Sequence, residues 1–183
     1  MAYEIAIEKA WDDLERVVRR GKSRIKFLDE EYEIDSSRRR IFSPASNVEA
    51  KDFYKVLFLH YVINEGKVGG IEKDAWISFR EMEGGDTYFP AFRDRAIEPI
   101  LKKYGHNASG IYKSIKSFPA EKMDGGDAAV CIKAFPKVKV GIIIWKEDEE
   151  FEADCNMLFN RSIKDILPTE DVAVLGGIVA MLI

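Results

Sequence analysis

Cysteine and histidine are scarce in this chain, two of each in 183 residues. Cys131 and Cys155 lie in apolar, strand-like runs and lack the C-x-x-C spacing of a metal or dithiol site, so they read as buried free thiols and no metal site is expected. His60 falls among Leu57, Tyr61 and Ile63 on a mostly apolar stretch, the setting of a core or rim histidine rather than a catalytic base, and His106 in YGHNASG reads as exposed. A serine hydrolase lacks its G-x-S-x-G elbow, and EGGDT lacks the long glycine spacing and Lys-Ser/Thr pair of a P-loop. The longest apolar run near the end, VAVLGGIVAMLI, falls short of the roughly 20 residues a membrane helix needs and reads as a core helix. Basic excess is also missing. A formal charge of −4 disfavours generic binding to polyanions, so nucleic acid is not an expected partner. MAYEIAIEKAW carries acid where a signal peptide needs positive charge, which places the protein in the cytoplasm as an expectation.

What is present is a folding pattern. The 46% apolar residues alternate with the 33% that are charged instead of being displaced by them, and the length suits one domain spanning 1–183. Ile7, Trp11, Leu14 and Val18 recur at helical spacing, with Gly21 as the stop. RIKFLDEEYEIDSSRRRIFS carries two or three short antiparallel strands. Ser46 and Glu49 have capping-box spacing, which predicts a largely buried helix from about Asn47 to Gly66. WISFREM reads as a strand and GGD as a turn, followed by a helix through Phe92, Ala96, Ile100 and Tyr104 that Pro99 should kink or restart. DAAVCIKAF and VKVGIIIWK, joined at Pro136-Lys137, form the best hairpin. The second of these is apolar on both faces and therefore central in its sheet. EDEEFEAD is a solvated loop, CNMLF a short strand, and Thr169 the expected cap of a terminal helix whose first turn holds Glu170 and Asp171. The fold class is α+β: a central, mainly antiparallel sheet with a late β-hairpin, covered by three to five helices.

Candidate site residues cluster at the glycine turns. Arg80, Glu81, Gly84, Gly85, Asp86, Tyr88, Arg93 and Arg95 fall between a strand and a helix start, where glycine permits close backbone approach and arginine forks match phosphate or carboxylate oxygens. The competing reading is a surface turn whose arginines pair with Glu81 and Asp94. Gly125, Gly126 and Asp127 repeat the triplet before the hairpin. Asp127 is either a ligand or general base, or the ordinary acid of a tight turn. Asn156, an amide between apolar neighbours in CNMLF, either orients a ligand or fastens a loop. Arg16, Arg19, Arg20, Lys22, Arg24 and Lys26, with Arg38, Arg39 and Arg40, form a basic run that reads as a solvated face.

WISFREMEGGDTYFPAFRDRAIEP, GGDAAVCIKAFP and NMLFNRSIKDILPTEDVAVLG together resemble the bacterial and archaeal family designated domain of unknown function 3786. The resemblance spans nearly the whole chain and implies a fold unit without an assigned activity. Some members are described as candidate iron-sulfur proteins with a cysteine cluster in an added N-terminal region. This sequence opens directly on its first helix and has only Cys131 and Cys155, so the resemblance carries no cluster onto these residues.

Three functions stay open on the residues alone. The leading one is a binding module for an anionic small molecule or a redox partner protein, with the two glycine turns as its site and an accessory role in redox or cofactor metabolism implied by the family. The second is an enzyme using Asp127 and Glu81 as acid and base near Arg80 on a phosphorylated or carboxylated small molecule. The third is an assembly protein associating through its terminal helix. The residues name no cofactor and no oligomeric state.

Overall fold

A computed structural model describes residues 2–18, 21–71 and 75–183. Helix α1 (Ala2–Val17) buries Ala10, Trp11 and Leu14 on the face their spacing marks, and it ends ahead of Gly21. Strands β1 (Lys22–Phe27), β2 (Glu30–Asp35), β3 (Arg40–Ser43) and β4 (Val48–Glu49) form an antiparallel four-stranded sheet in sequence order. The helix expected near Asn47 starts later. Asn47 takes a left-handed φ of 53°, which turns the chain back so that Val48 and Glu49 pair with β3, and α2 runs from Asp52 to Asn64.

A second sheet, also antiparallel, has the order β5-β9-β8-β7-β6, from β5 (Trp76–Ser78), β6 (Ala120–Lys122), β7 (Ala128–Phe135), β8 (Val138–Trp145) and β9 (Asp154–Asn160). The late hairpin is β7–β8, and β8 is flanked on both sides as its apolar faces predict. Val138, Val140, Ile142 and Ile144 are fully buried on one face, each burial favouring the fold by roughly 1.5–3 kcal/mol. The other face carries Lys139, Gly141, Ile143 and a 40% exposed Trp145.

The sheets meet at an aromatic cluster. Phe27 of β1 lies 4.8 Å from Phe135 of β7, Tyr61 of α2 stacks on Phe135 at 4.3 Å, and the Leu28 amide donates to the Ala134 carbonyl at 2.8 Å. The Lys137 ammonium, in the hairpin turn, donates to the Glu65 and Val68 carbonyls at 2.8 Å each and so closes the end of α2. One continuous buried cluster runs from Ala10 to Ile183.

Between β5 and β6 the chain is helical: α3 (Gly85–Phe92), a π-helical turn (Arg93–Ile97), α4 (Glu98–Tyr104) and α5 (Ile111–Ser114). The π turn is the form the Pro99 kink takes. Proline has no amide to give the Arg95 carbonyl four residues back, and the Glu98 amide reaches the Arg93 carbonyl across five. After β9 come α6 (Ile163–Ile166) and α7 (Thr169–Leu182). Gly176 and Gly177 each disfavour a mid-helix position by about 1 kcal/mol, but a β-carbon on Gly176 would crowd Phe92 and Ala96, so glycine at 176 lets α7 seat against α3 and the π turn, whereas one on Gly177 would meet only ordinary contacts. Val172, Leu175, Ile178 and Val179 of α7 are buried inside the chain, leaving Met181 and Leu182 exposed. Thr169 is not the cap of α7. Pro168 holds that position, and the Thr169 hydroxyl donates to the Glu83 carbonyl at 2.8 Å, tying the glycine loop to the helix.

The basic run is balanced in place. Lys22, Arg24 and Lys26 project from the outer face of β1 and pair with Glu33, Glu31 and Asp29, while Arg39 meets Asp12 and Glu15. Arg19 and Arg20 lie outside the described residues. No helix among the described residues is long and apolar enough to cross a membrane.

Candidate functional site

Leaving β5, the chain enters a tight turn closed by a capping box. The Glu81 carboxylate accepts from the Ser78 amide at 2.7 Å and from its hydroxyl at 3.0 Å. Those bonds hold the Glu81 carboxyl below the usual range, so it is a fixed anion bracing the turn. The turn aims Arg80 outward, with its guanidinium 3.7 Å over the Phe89 ring and 3.2 Å from Asp86.

Because β5 is short, it pairs with β9 only across Leu158–Asn160, whereas β8 pairs with β9 from Asp154 to Phe159. Residues 154–157 of β9 therefore have a strand neighbour on one side only. A cleft of about 400 Å³ opens along that edge, between the sheet and the α3–α4 helical layer. Its floor is apolar: Phe79 and Phe92 stack at 4.1 Å, with Met157 beside them. Its rim is polar, with Arg80, Arg93, Ser78, Asp154 and Asn156 around the exposed indole of Trp145. Arg93 heads the π turn and is held by Glu98 at 2.9 Å, while its side chain stays 41% exposed.

Cys155 also lines the cleft, but burial, reinforced by the Asp154 carboxylate, pushes its thiol up to about 12. At neutral pH it is a protonated thiol and not a nucleophile. Burial likewise raises the Cys131 thiol. Cys131 registers with Gly141 and Cys155 with Ile144, positions of opposite parity on β8, so the two cysteines point to opposite faces of the sheet. Among the described residues no group of three or more histidine, cysteine, aspartate or glutamate side chains is arranged to hold a metal ion.

Of the residues singled out in the sequence, the fold brings Arg80, Arg93 and Asn156 to this cleft. Glu81 and Gly84 line a different one of about 620 Å³, shared with Lys164 and Glu170. Gly85 is buried against the Phe79 carbonyl. Tyr88 is 52% exposed on α3, and Arg95 is exposed and lines neither cleft. Gly125, Gly126 and Asp127 sit where β7 begins. There the Asp127 amide donates to the Ile144 carbonyl and its carboxylate accepts from the Lys146 amide, both at 2.9 Å. Glu81 and Asp127 are thus each committed to a local backbone, and neither lines the edge cleft.

The asparagine argument applies four residues along the same strand. Asn156 is exposed and needs no buried partner, whereas Asn160, 2% exposed, accepts from the Lys139 amide at 2.7 Å and donates to the Lys137 carbonyl and the Ser162 hydroxyl. Trp145 and Phe89 were not singled out. A large aromatic ending an otherwise buried strand beside an acidic run was the available signal for Trp145.

The sequence model of a family described as domain of unknown function (DUF3786) matches residues 8–181, a span holding all three resembling segments and every element of the cleft. The chain belongs to the DUF3786 family. No curated protein and no solved structure matches it. In this DUF3786 chain the one-sided edge of β9 lies beside two arginines, Arg80 and Arg93.

Proposed function

We propose that this DUF3786 protein is a binding module for an anionic small molecule, and that the edge cleft is its site. The supporting observation is that Arg80 and Arg93, from opposite ends of α3, flank a recess with a stacked aromatic floor and an unshared strand edge. An apolar or aromatic body rests against the exposed Trp145 ring above the buried Phe79–Phe92 floor, the anionic group meets the guanidinium groups, and Asn156 with the β9 edge supplies directional hydrogen bonds. The family resemblance adds an accessory role in redox or cofactor metabolism.

Native mass spectrometry of protein purified anaerobically from a cell extract is the test. A retained molecule is expected, and Arg80→Gln with Arg93→Gln should release it. Each charge-assisted contact is worth about 1.5–3 kcal/mol, so each substitution should weaken binding by at least about tenfold. An unchanged circular-dichroism melt establishes that the fold persists. Retention undiminished in the double variant refutes the site.

A further inference from the structure

A second constellation lies outside the edge cleft, where α2, α6 and the start of α7 converge. His60 of α2 places Nδ1 2.6 Å from Oδ2 of Asp171, a carboxylate in the first turn of α7 that is 6% exposed. One turn along α2, Asn64 donates to the Ile166 carbonyl at 2.9 Å, pinning the helix to the corner between α6 and α7. A carboxylate at Nδ1 fixes the proton on that nitrogen and directs the other ring nitrogen away from it. Nε2 has no hydrogen-bond partner among the described residues, and the ring is 29% exposed. It lines a recess of about 330 Å³ together with Lys67, Lys164 and Asp165. Both lysines are exposed, and neither ammonium group is ion-paired or hydrogen-bonded to a described residue.

We propose that this recess is a second binding site, in which Nε2 of His60 and the ammonium groups of Lys67 and Lys164 receive a phosphate-class dianion. Three donors from three different elements suit a tetrahedral acceptor whose oxygens face several directions. Within the recess Asp171 is matched by the imidazole and Asp165 opposes the lysines, while Lys164 also faces Glu81 and Glu170 across the adjoining cleft. From α1, Asp13 favours the imidazolium and Lys9 disfavours it. The hydrogen bond to Asp171 is the largest influence and raises the His60 pKa above its ordinary value. The dianion is therefore held most tightly between its own second pKa, about 6, and that raised pKa, and is released as pH climbs through the latter.

The test is long-range ¹H–¹⁵N NMR on the full chain, following His60 while sodium phosphate is titrated against sodium chloride at matched ionic strength. His106, the other histidine, serves as an internal reference. The expected result is a saturable shift at His60 alone, an upward move of its titration midpoint, and about tenfold weaker binding in Lys164→Met or Lys67→Met. Glycerol 3-phosphate separates the two sources of this chemistry: tighter binding than inorganic phosphate assigns the site to a phosphomonoester, and weaker binding to the free anion. A His60 signal that answers phosphate and glycerol 3-phosphate only as it answers chloride overturns the proposal. So does unaltered binding in both lysine variants.

Discussion

The triplet Gly-Gly-Asp occurs twice, at Gly84–Asp86 and at Gly125–Asp127, and the two copies meet different demands. In the first, Gly84 takes a left-handed φ of 68° to start α3, and Gly85 is buried so tightly that a β-carbon would overlap the Phe79 carbonyl. Asp86 then sits on the surface beside Arg80. In the second, Gly125 and Gly126 have φ of 140° and 52° and lie over Ile143 and Ile144, and the aspartate caps the Lys146 amide just past β8, at the end of the hairpin away from its turn. The first copy is set by packing around a helix start, with its acid free to tune an arginine. The second is set by backbone handedness, with its acid spent on the fold. Identical residues at two turns thus do not imply one shared site.

The largest effect expected is at Gly85. Gly85→Ala forces a new methyl into main-chain atoms of the preceding turn, which cannot rotate away as a side chain can, and should lower unfolding stability by about 3 kcal/mol. Gly126→Ala meets both a left-handed φ and the Ile144 carbonyl, but the turn is exposed and can bow outward, so about 2 kcal/mol is expected. Urea unfolding of both variants measures the order. A Gly126→Ala loss exceeding that of Gly85→Ala breaks the distinction between packing and handedness.

How far the sequence disclosed this follows from the range of each interaction. Local periodicity placed α1, the β7–β8 hairpin and the central position of β8, because the pleat and the helical turn leave their signatures within a few residues. It misplaced the start of α2, since a Ser-x-x-Glu spacing also fits a left-handed turn followed by a strand. It singled out Asn156 for its apolar neighbours in CNMLF, whereas only pairing with β8 and the hairpin turn shows that Asn160 is the enclosed amide. The edge cleft depends on β5 being three residues long opposite a β9 of seven, and the His60–Asp171 contact joins residues 111 apart. Neither length mismatch nor long-range contact has a local sequence signature. Arg80 and Arg93 were singled out as candidates, but not their assembly with Trp145 around one cleft.

The smallest effect expected on stability, and the sharpest on function, is at Asp86. Its ion pair with Arg80 at 3.2 Å joins side chains 54% and 77% exposed, so Asp86→Ala should change unfolding stability by no more than about 0.5 kcal/mol. At the proposed site, however, Asp86, paired with Arg80 beside the cleft, would compete with an incoming anion for the guanidinium that Phe89 holds in place. Removing the competitor should tighten anion binding up to about fivefold, a gain of roughly 1 kcal/mol for an exposed pair, measured by calorimetry with the ligand recovered from the native protein. Asp127→Ala provides the contrast: it gives up the bond to the Lys146 amide, which should lower stability by about 1 kcal/mol without changing that affinity. If the two alanine variants behave alike, either both destabilising or both silent toward the ligand, then the first aspartate is one more turn residue and Arg80 is not positioned for an anion.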